Sequence, residues 1–133
     1  DDMVYISDYA HHPEEIRQSI LSIKQLYNNR RIKAIFQPHL YSRTHDFYKE
    51  FADALSLLDD VVLLDIYPAR EEPIPGVTSK LIYDNLRPGI RKTMCHKQDF
   101  LDCVKEKDFD VLVTLGAGDI ENYAKEITEI LNN

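Results

Sequence analysis

The stretch VVLLDI, from Val61 to Ile66, is apolar at every consecutive position up to Asp65. A strand with one wet face would alternate instead. Continuous apolarity marks a strand buried on both faces, and sheets covered on both faces are parallel sheets flanked by helices. IKAIF, from Ile32 to Phe36, reads as a second strand, and VLVTL, from Val111 to Leu115, is the cleanest of them; Val4 to Ile6 is a shorter apolar run that ends at Asp8.

Between these runs the apolar spacing changes. After Pro13 it becomes helical, at Ile16, Ile20, Ile23 and Leu26. Pro13 suits a first helical position, and Glu14 and Glu15 fall where the helix dipole favours acids. A second helix is predicted from about Thr44 to Leu57, with Phe47, Phe51, Ala54 and Leu55 turned inward. YPAREEPIPG is a loop held open by Pro68, Pro73, Pro75 and Gly76. Thr78 to Leu86 predicts a short helix capped by Thr78 or Ser79, Arg91 to Met94 a short strand, Gln98 to Lys105 a helix, and Asp119 to Leu131 a last helix. Strand and helix alternate throughout. The expectation is one α/β domain over 1–133, a Rossmann-like three-layer fold whose sheet is mostly parallel, with room for one antiparallel strand.

The 133 residues suffice for one real core. A formal net charge of -7 repels phosphate backbones, so no nucleic-acid partner is expected. No apolar stretch is long enough to span a bilayer, and the N-terminus lacks the layout of a signal peptide, so no membrane partner is expected and the expected location is the cytoplasm. Cys95 and Cys103 fit reduced thiols, since two cysteines make no disulfide framework.

In an open parallel sheet, ligands bind beyond the carboxyl ends of the strands. Three turns there are unusually polar, DYAHHP, QPHLYSRT and GAGD, and a fourth, YPARE, follows the third strand. Asp8 is either a cap or turn former, or an anion for sugar hydroxyls. His11 and His12 are adjacent and point different ways; with His39 they lack a further ligand of suitable spacing, so no metal site is expected. Arg43 lies beside Ser42 and Thr44, where backbone N–H groups also face an anion, and its guanidinium fork suits a carboxylate or phosphate. LGAGD offers close backbone approach at Gly116 and Gly118 but lacks the third glycine of a dinucleotide fingerprint. Tyr5, Tyr27, Tyr48 and Tyr83 read as half-buried packing residues. No G-x-x-x-x-G-K-[ST] run and no nucleophile–base arrangement is present. Such a domain can bind, but no catalytic residue is expected in it alone.

DYAHHPEEI, IFQPHLYSRT, LLDIYPAREEPIPGV and TLGAGDI, in this order, closely resemble the carboxy-terminal domain of the UDP-N-acetylmuramate–L-alanine ligase family. The resemblance covers nearly the whole chain. It implies one of three domains, with the chain's first residues at a domain boundary; the others are an N-terminal UDP-sugar domain and a central domain carrying the P-loop and most of the contacts to ATP and Mg²⁺. It implies an acyl phosphate made from the muramoyl carboxylate and attacked by the amine of L-alanine. It further implies cofactor-side contacts from Asp8 to the ribose and Tyr9 near the adenine, and a hold on the alanine carboxylate by His11 and Arg43, with His39 also substrate-binding. On this reading the isolated domain is inactive. Leu40 and His45 depart from the family, where arginine is frequent at both positions. Two rival readings are a domain of the related ligases that recycle murein tripeptide, and a free-standing nucleotide- or anion-binding module.

Overall fold

The computed structural model describes residues 3–133; the boundary expected at the first residues lies outside them. Five strands, β1 (Val4–Asp8), β2 (Ile32–Phe36), β3 (Asp60–Leu63), β4 (Arg91–Met94) and β5 (Val111–Leu115), form one sheet in the order β1-β5-β2-β3-β4. Every pairing among the described residues is parallel, so the antiparallel strand that the sequence left room for is not found. The helices are α1 (Pro13–Leu26), α2 (Tyr41–Leu55), α3 (Lys80–Asn85), α4 (Phe100–Lys105) and α5 (Ala124–Leu131).

Alternate residues of each buried strand serve opposite faces. Ala34, Phe36, Val61, Leu63, Val111 and Val113 pack under Ile16, Ile20 and Ile23 of α1, Phe51 and Leu55 of α2, and Ile82 of α3. Ile35, Val62, Leu64 and Leu112 pack under Phe100 and Val104 of α4 and Ile127 of α5. Three layers result. The four half-buried tyrosines pack as the sequence suggests.

Several boundaries shift for local reasons. β1 runs on to Asp8, because Gly116 N–H bonds to the Asp8 carbonyl at 3.2 Å and keeps the strand paired to its end. Helix α2 starts at Tyr41, where no apolar period marks its polar first turn; Thr44 is buried within it and bonds back to the Leu40 carbonyl through both N–H and hydroxyl. Phe47 is not inward. It sits at a kink (φ -130°, ψ 17°) and is 41% exposed. Leu26, at the last turn of α1, is 75% exposed. Of the two candidate caps of α3, the Thr78 hydroxyl accepts the Lys80 N–H at 3.2 Å, whereas the Ser79 hydroxyl donates to the Leu64 carbonyl. The last predicted helix divides into a 3-10 turn, Asp119–Tyr123, and α5.

The amino end of the sheet is closed by charge. Lys33 of β2, with a side chain only 3% exposed, lies 2.8 Å from Asp108 and 3.9 Å from both Asp60 and Glu106. Arg91 reaches the same carboxylates, Asp108 at 2.7 Å and Asp60 at 3.7 Å. Burial pushes the Asp60 carboxyl up, whereas Asp108, also pushed up by burial, is pulled below the usual range by Lys33. Removing one partner of a buried ion pair leaves the other uncompensated. Lys33→Met should therefore lower stability by about 2–4 kcal/mol, less than for a fully buried pair because the acids keep some water. Urea unfolding of the chain checks this, and a loss near zero would show that Arg91 alone satisfies the acids.

Candidate functional site

The strand order brings the polar turns together. Asp8, Leu115 and Phe36 are register partners at the carboxyl ends of β1, β5 and β2, so DYAHHP, GAGD and QPHLYSRT leave the sheet side by side. YPARE joins them through a parallel bridge between His39 and Tyr67. Leu40 N–H donates to the Tyr67 carbonyl at 2.9 Å, and Tyr67 N–H to the Pro38 carbonyl at 2.8 Å.

His11, His39 and Arg43 converge here. The His39 ring lies 5.8 Å from that of His11 and stacks on Tyr67 at 5.7 Å, 14° from coplanar. Arg43 Nη1 is 3.1 Å from His39 Nδ1. A guanidinium only donates, so Nδ1 is the acceptor and the neutral ring carries its proton on Nε2. Burial first, and then the Arg43 charge, hold the His39 imidazole below its ordinary value of 6.5. His11 Nδ1 lies 3.0 Å from the Tyr9 carbonyl, which only accepts, so this nitrogen carries the proton.

Asp8 and Tyr9 occupy the adjoining turn. With His11 and Glu15 they line a hollow of about 250 Å³. Asp8 Oδ1 accepts the Ala10 N–H at 2.9 Å, so it forms the turn and does not cap α1. That duty falls to Glu15, which accepts the His11 and His12 N–H groups at 3.2 Å each. Tyr9 is 56% exposed and meets His11 edge-on at 5.6 Å. The His12 ring lies 4.7 Å from that of His11, tilted by 43°, and also lines a separate hollow of about 450 Å³ between α1 and α2, beside Phe47; that one is larger but is not lined by His11, His39 or Arg43. His45 pairs with Asp46 on the outer surface of α2. Among the described residues, no three His, Cys, Asp or Glu side chains are placed to hold a metal ion.

One expectation needs correction. The backbone N–H of Ser42, assigned to a ligand anion, is taken by Glu71: Oε1 accepts it at 3.0 Å, and Oε2 accepts the Ser42 hydroxyl. The close approach expected at the two glycines is present, and protein groups make it. A Cβ built on Gly116 would lie 2.7 Å from the Gln37 carbonyl, at φ +144°; one on Gly118 would lie 2.5 Å from Gln37 Oε1 and 2.6 Å from the Tyr67 ring. Gln37 donates to Asp119 at 2.8 Å and accepts the Ile120 N–H at 3.1 Å, while Lys97 pairs with Asp119. The sequence reading missed Gln37, Tyr67, Glu71, Lys97 and Asp119. A signal was present for two of them: Gln37 directly follows buried β2, and Asp119 closes the GAGD turn that follows buried β5.

In an all-parallel α/β domain the carboxyl edge of the sheet is where ligands bind, and here an arginine, imidazoles and an acid gather at that edge. Residues 1–120 match the family described as "Mur ligase, glutamate ligase domain", and the chain belongs to that family. It is 66% identical over 132 residues to the UDP-N-acetylmuramate–L-alanine ligase of Phocaeicola vulgatus, covering 99% of this chain and 29% of that protein. The ligase of the same name from Parabacteroides distasonis is 54% identical, with 98% and 28% covered. The chain thus spans under a third of these relatives' length. The crystal structure of the UDP-N-acetylmuramate–alanine ligase of Thermotoga maritima superposes with a TM-score of 0.72 at 32% identity, over 94% of this chain and 26% of that one. A murein peptide ligase from Psychrobacter arcticus gives 0.77 at 20% identity, over 99% and 28%, a likeness of fold alone.

Two measurements test this geometry. Gly118→Ala should lower stability by about 2 kcal/mol or more, because the added methyl overlaps Gln37 and Tyr67; a melting temperature equal to the parent's would contradict the packing. In an NMR titration His39 should titrate below 6.5 and His96, whose Nδ1 lies 3.0 Å from Asp65, above it. The signs differ. Protonating His39 opposes folding, so its contribution holds above 6.5 and is lost as pH falls; that of His96 is present below 6.5 and is lost as pH rises through its folded value. The reverse order of midpoints would refute the assigned partners.

Proposed function

We propose that this chain is the amino-acid-docking domain of an ATP-dependent ligase that joins L-alanine to UDP-N-acetylmuramate. The observation that carries this is Arg43, braced by a neutral His39 beside His11 at the sheet edge. A carboxylate ligand needs a directed cation, and a guanidinium held through Nη1 alone, by the ring and carbonyl of His39, keeps its other donors for a ligand.

On this reading the ligase activates the muramoyl carboxylate as an acyl phosphate, the alanine amine attacks it, and phosphate leaves. This chain's contribution is positioning. Arg43 and His11 hold the alanine carboxylate with His39 behind them, while Asp8 and Tyr9 offer the neighbouring hollow to the nucleotide's ribose and base. Asp8 would do so with the oxygen not spent on Ala10. On this reading most contacts to ATP and its magnesium fall to the central domain of the enzyme, and the UDP-sugar to the N-terminal one. The chain would then be one of three domains in the same polypeptide, inactive alone. The cytoplasm, where nucleotide-linked sugars and ATP meet, is the matching location; no helix among the described residues is long and apolar enough to cross a membrane.

The tripeptide-recycling ligases share the fold, and fold alone does not separate the two readings. The identity of 66% to an alanine ligase, against 20% to a murein peptide ligase, favours alanine. A binding module without a reaction is disfavoured by the same identity.

The test uses the full-length enzyme with L-alanine varied. Arg43→Ala should weaken alanine use by about 2–4 kcal/mol, and Arg43→Lys should restore it only in part, because a point charge lacks the fork. Unchanged alanine kinetics in Arg43→Ala would overturn the assignment.

A further inference from the structure

Glu71 turns both carboxylate oxygens to the start of α2, where Ser42 and the Tyr41 backbone hold the carboxyl below its usual range. Oε1 takes the Ser42 N–H at 3.0 Å and Oε2 takes the Ser42 hydroxyl. Ser42 is the second residue of α2, so the carboxylate rests against the positive end of that helix. The next residue is Arg43. The loop that carries Glu71 therefore grips the Arg43 turn at two points: Tyr67 stacks on His39 and accepts the Leu40 N–H, and Glu71 clamps Ser42.

Between these points the backbone is strained. Leu40 has φ +80° and ψ 137°, a conformation that costs a residue with a side chain about 1–3 kcal/mol and persists only where its surroundings enforce it. No glycine in QPHLYSRT eases it. Thr44 holds the Leu40 carbonyl from within α2, and the 67–71 loop holds the segment from outside: the Tyr67 carbonyl takes the Leu40 N–H and Glu71 takes Ser42.

We infer that Glu71 is a positioning residue: by clamping Ser42 it holds the strained start of α2, and with it the Arg43 guanidinium, in the pose that receives an amino acid's carboxylate. The identity of that ligand rests on the function proposed above. Glu71 itself does not touch the ligand. Its charge would repel a carboxylate, and both of its oxygens already face donors, so it acts through Ser42.

The experiment is steady-state kinetics of the full-length ligase, varying L-alanine and ATP separately, beside melting curves. Glu71→Ala should raise the KM for L-alanine about tenfold, as loss of one charge-assisted hydrogen bond implies, while kcat and the KM for ATP stay within about twofold. Glu71→Gln keeps the shape and one acceptor oxygen and should fall between the parent and Glu71→Ala. Ser42→Ala should raise the alanine KM less, and adding it to Glu71→Ala should cost nothing more, since the two act as one unit. An unchanged alanine KM in Glu71→Ala would overturn the role, as would a rise in both KM values together with a lower melting temperature, the mark of a merely structural cap. Should Glu71→Ala not fold, Glu71→Gln carries the same comparison. Arg43→Ala is the control. If it raises the alanine KM and the Glu71 variants do not, the docking site stands and the positioning role falls; if it has no effect either, the site reading falls and takes the positioning role with it.

Discussion

The structure depends on one insertion: β5, the last strand in the chain, lies between the first two. All five of its residues are buried, and it pairs with β1 on one side and β2 on the other. A strand in that place must be apolar on both faces and must be entered and left from the same layer, and α4 and α5 both lie on the second face. The helices that follow β1 and β2 lie on the first face. The chain leaves neighbouring strands in opposite directions, and a crevice opens between them. Asp8, the GAGD turn and the QPHLYSRT turn meet there because β5 pairs between β1 and β2.

The two ends of the sheet use charge in opposite ways. At the amino end, Lys33 and Arg91 are surrounded by Asp60, Asp108 and Glu106; cations and acids satisfy one another and the end is closed. At the carboxyl end the polar groups divide into two sets. Gln37, Asp119 and Lys97 are bonded to one another and hold the GAGD turn against Tyr67. Arg43, His39 and His11 sit just beyond that scaffold, and there a chain of net charge -7 presents a guanidinium next to two imidazoles. The nearby acids are already engaged, Glu71 by Ser42 and Glu15 by the His11 and His12 N–H groups, which leaves the guanidinium suited to an anion from outside.

Continuous apolar runs and helical spacing were enough to read the layer architecture and the parallel sheet, because burial on two faces leaves no other pattern. Phe47 and Leu26 misled for a related reason: spacing assigns a face to a residue, but not a kink or the end of the helix that carries it. The grouping of Asp8, Tyr9, His11, His39 and Arg43 was legible from where the turns fall. Glu71 was not. It lies 29 residues from Ser42 in the chain, in a proline-rich loop with no period, and only the His39–Tyr67 bridge brings that loop to α2. The glycines of GAGD were legible as sites of close approach, but not what approaches them, since Gln37 reaches them across the β2–β5 ladder.

The neutral state of His39 links burial to binding. Its Nδ1 braces Arg43 only as an acceptor, and protonation would turn that nitrogen into a donor and set two cations about 3 Å apart, a repulsion that half-buried groups feel strongly. Burial lowers the imidazole's proton affinity first, and Arg43 lowers it further, so each stabilises the form the other needs. The direction follows. Lowering the proton affinity extends the braced state of Arg43 toward acid, and a partner carboxylate near His39 would cut that range by favouring the imidazolium. Glu71, the acid beside this turn, is instead bonded to Ser42, where its charge completes the start of α2 and its effect on His39 ranks below those of burial, Arg43 and His11. The same contact that meets the helix start thus keeps the Glu71 carboxylate off the imidazole, and Nδ1 of His39 stays free to accept from Arg43.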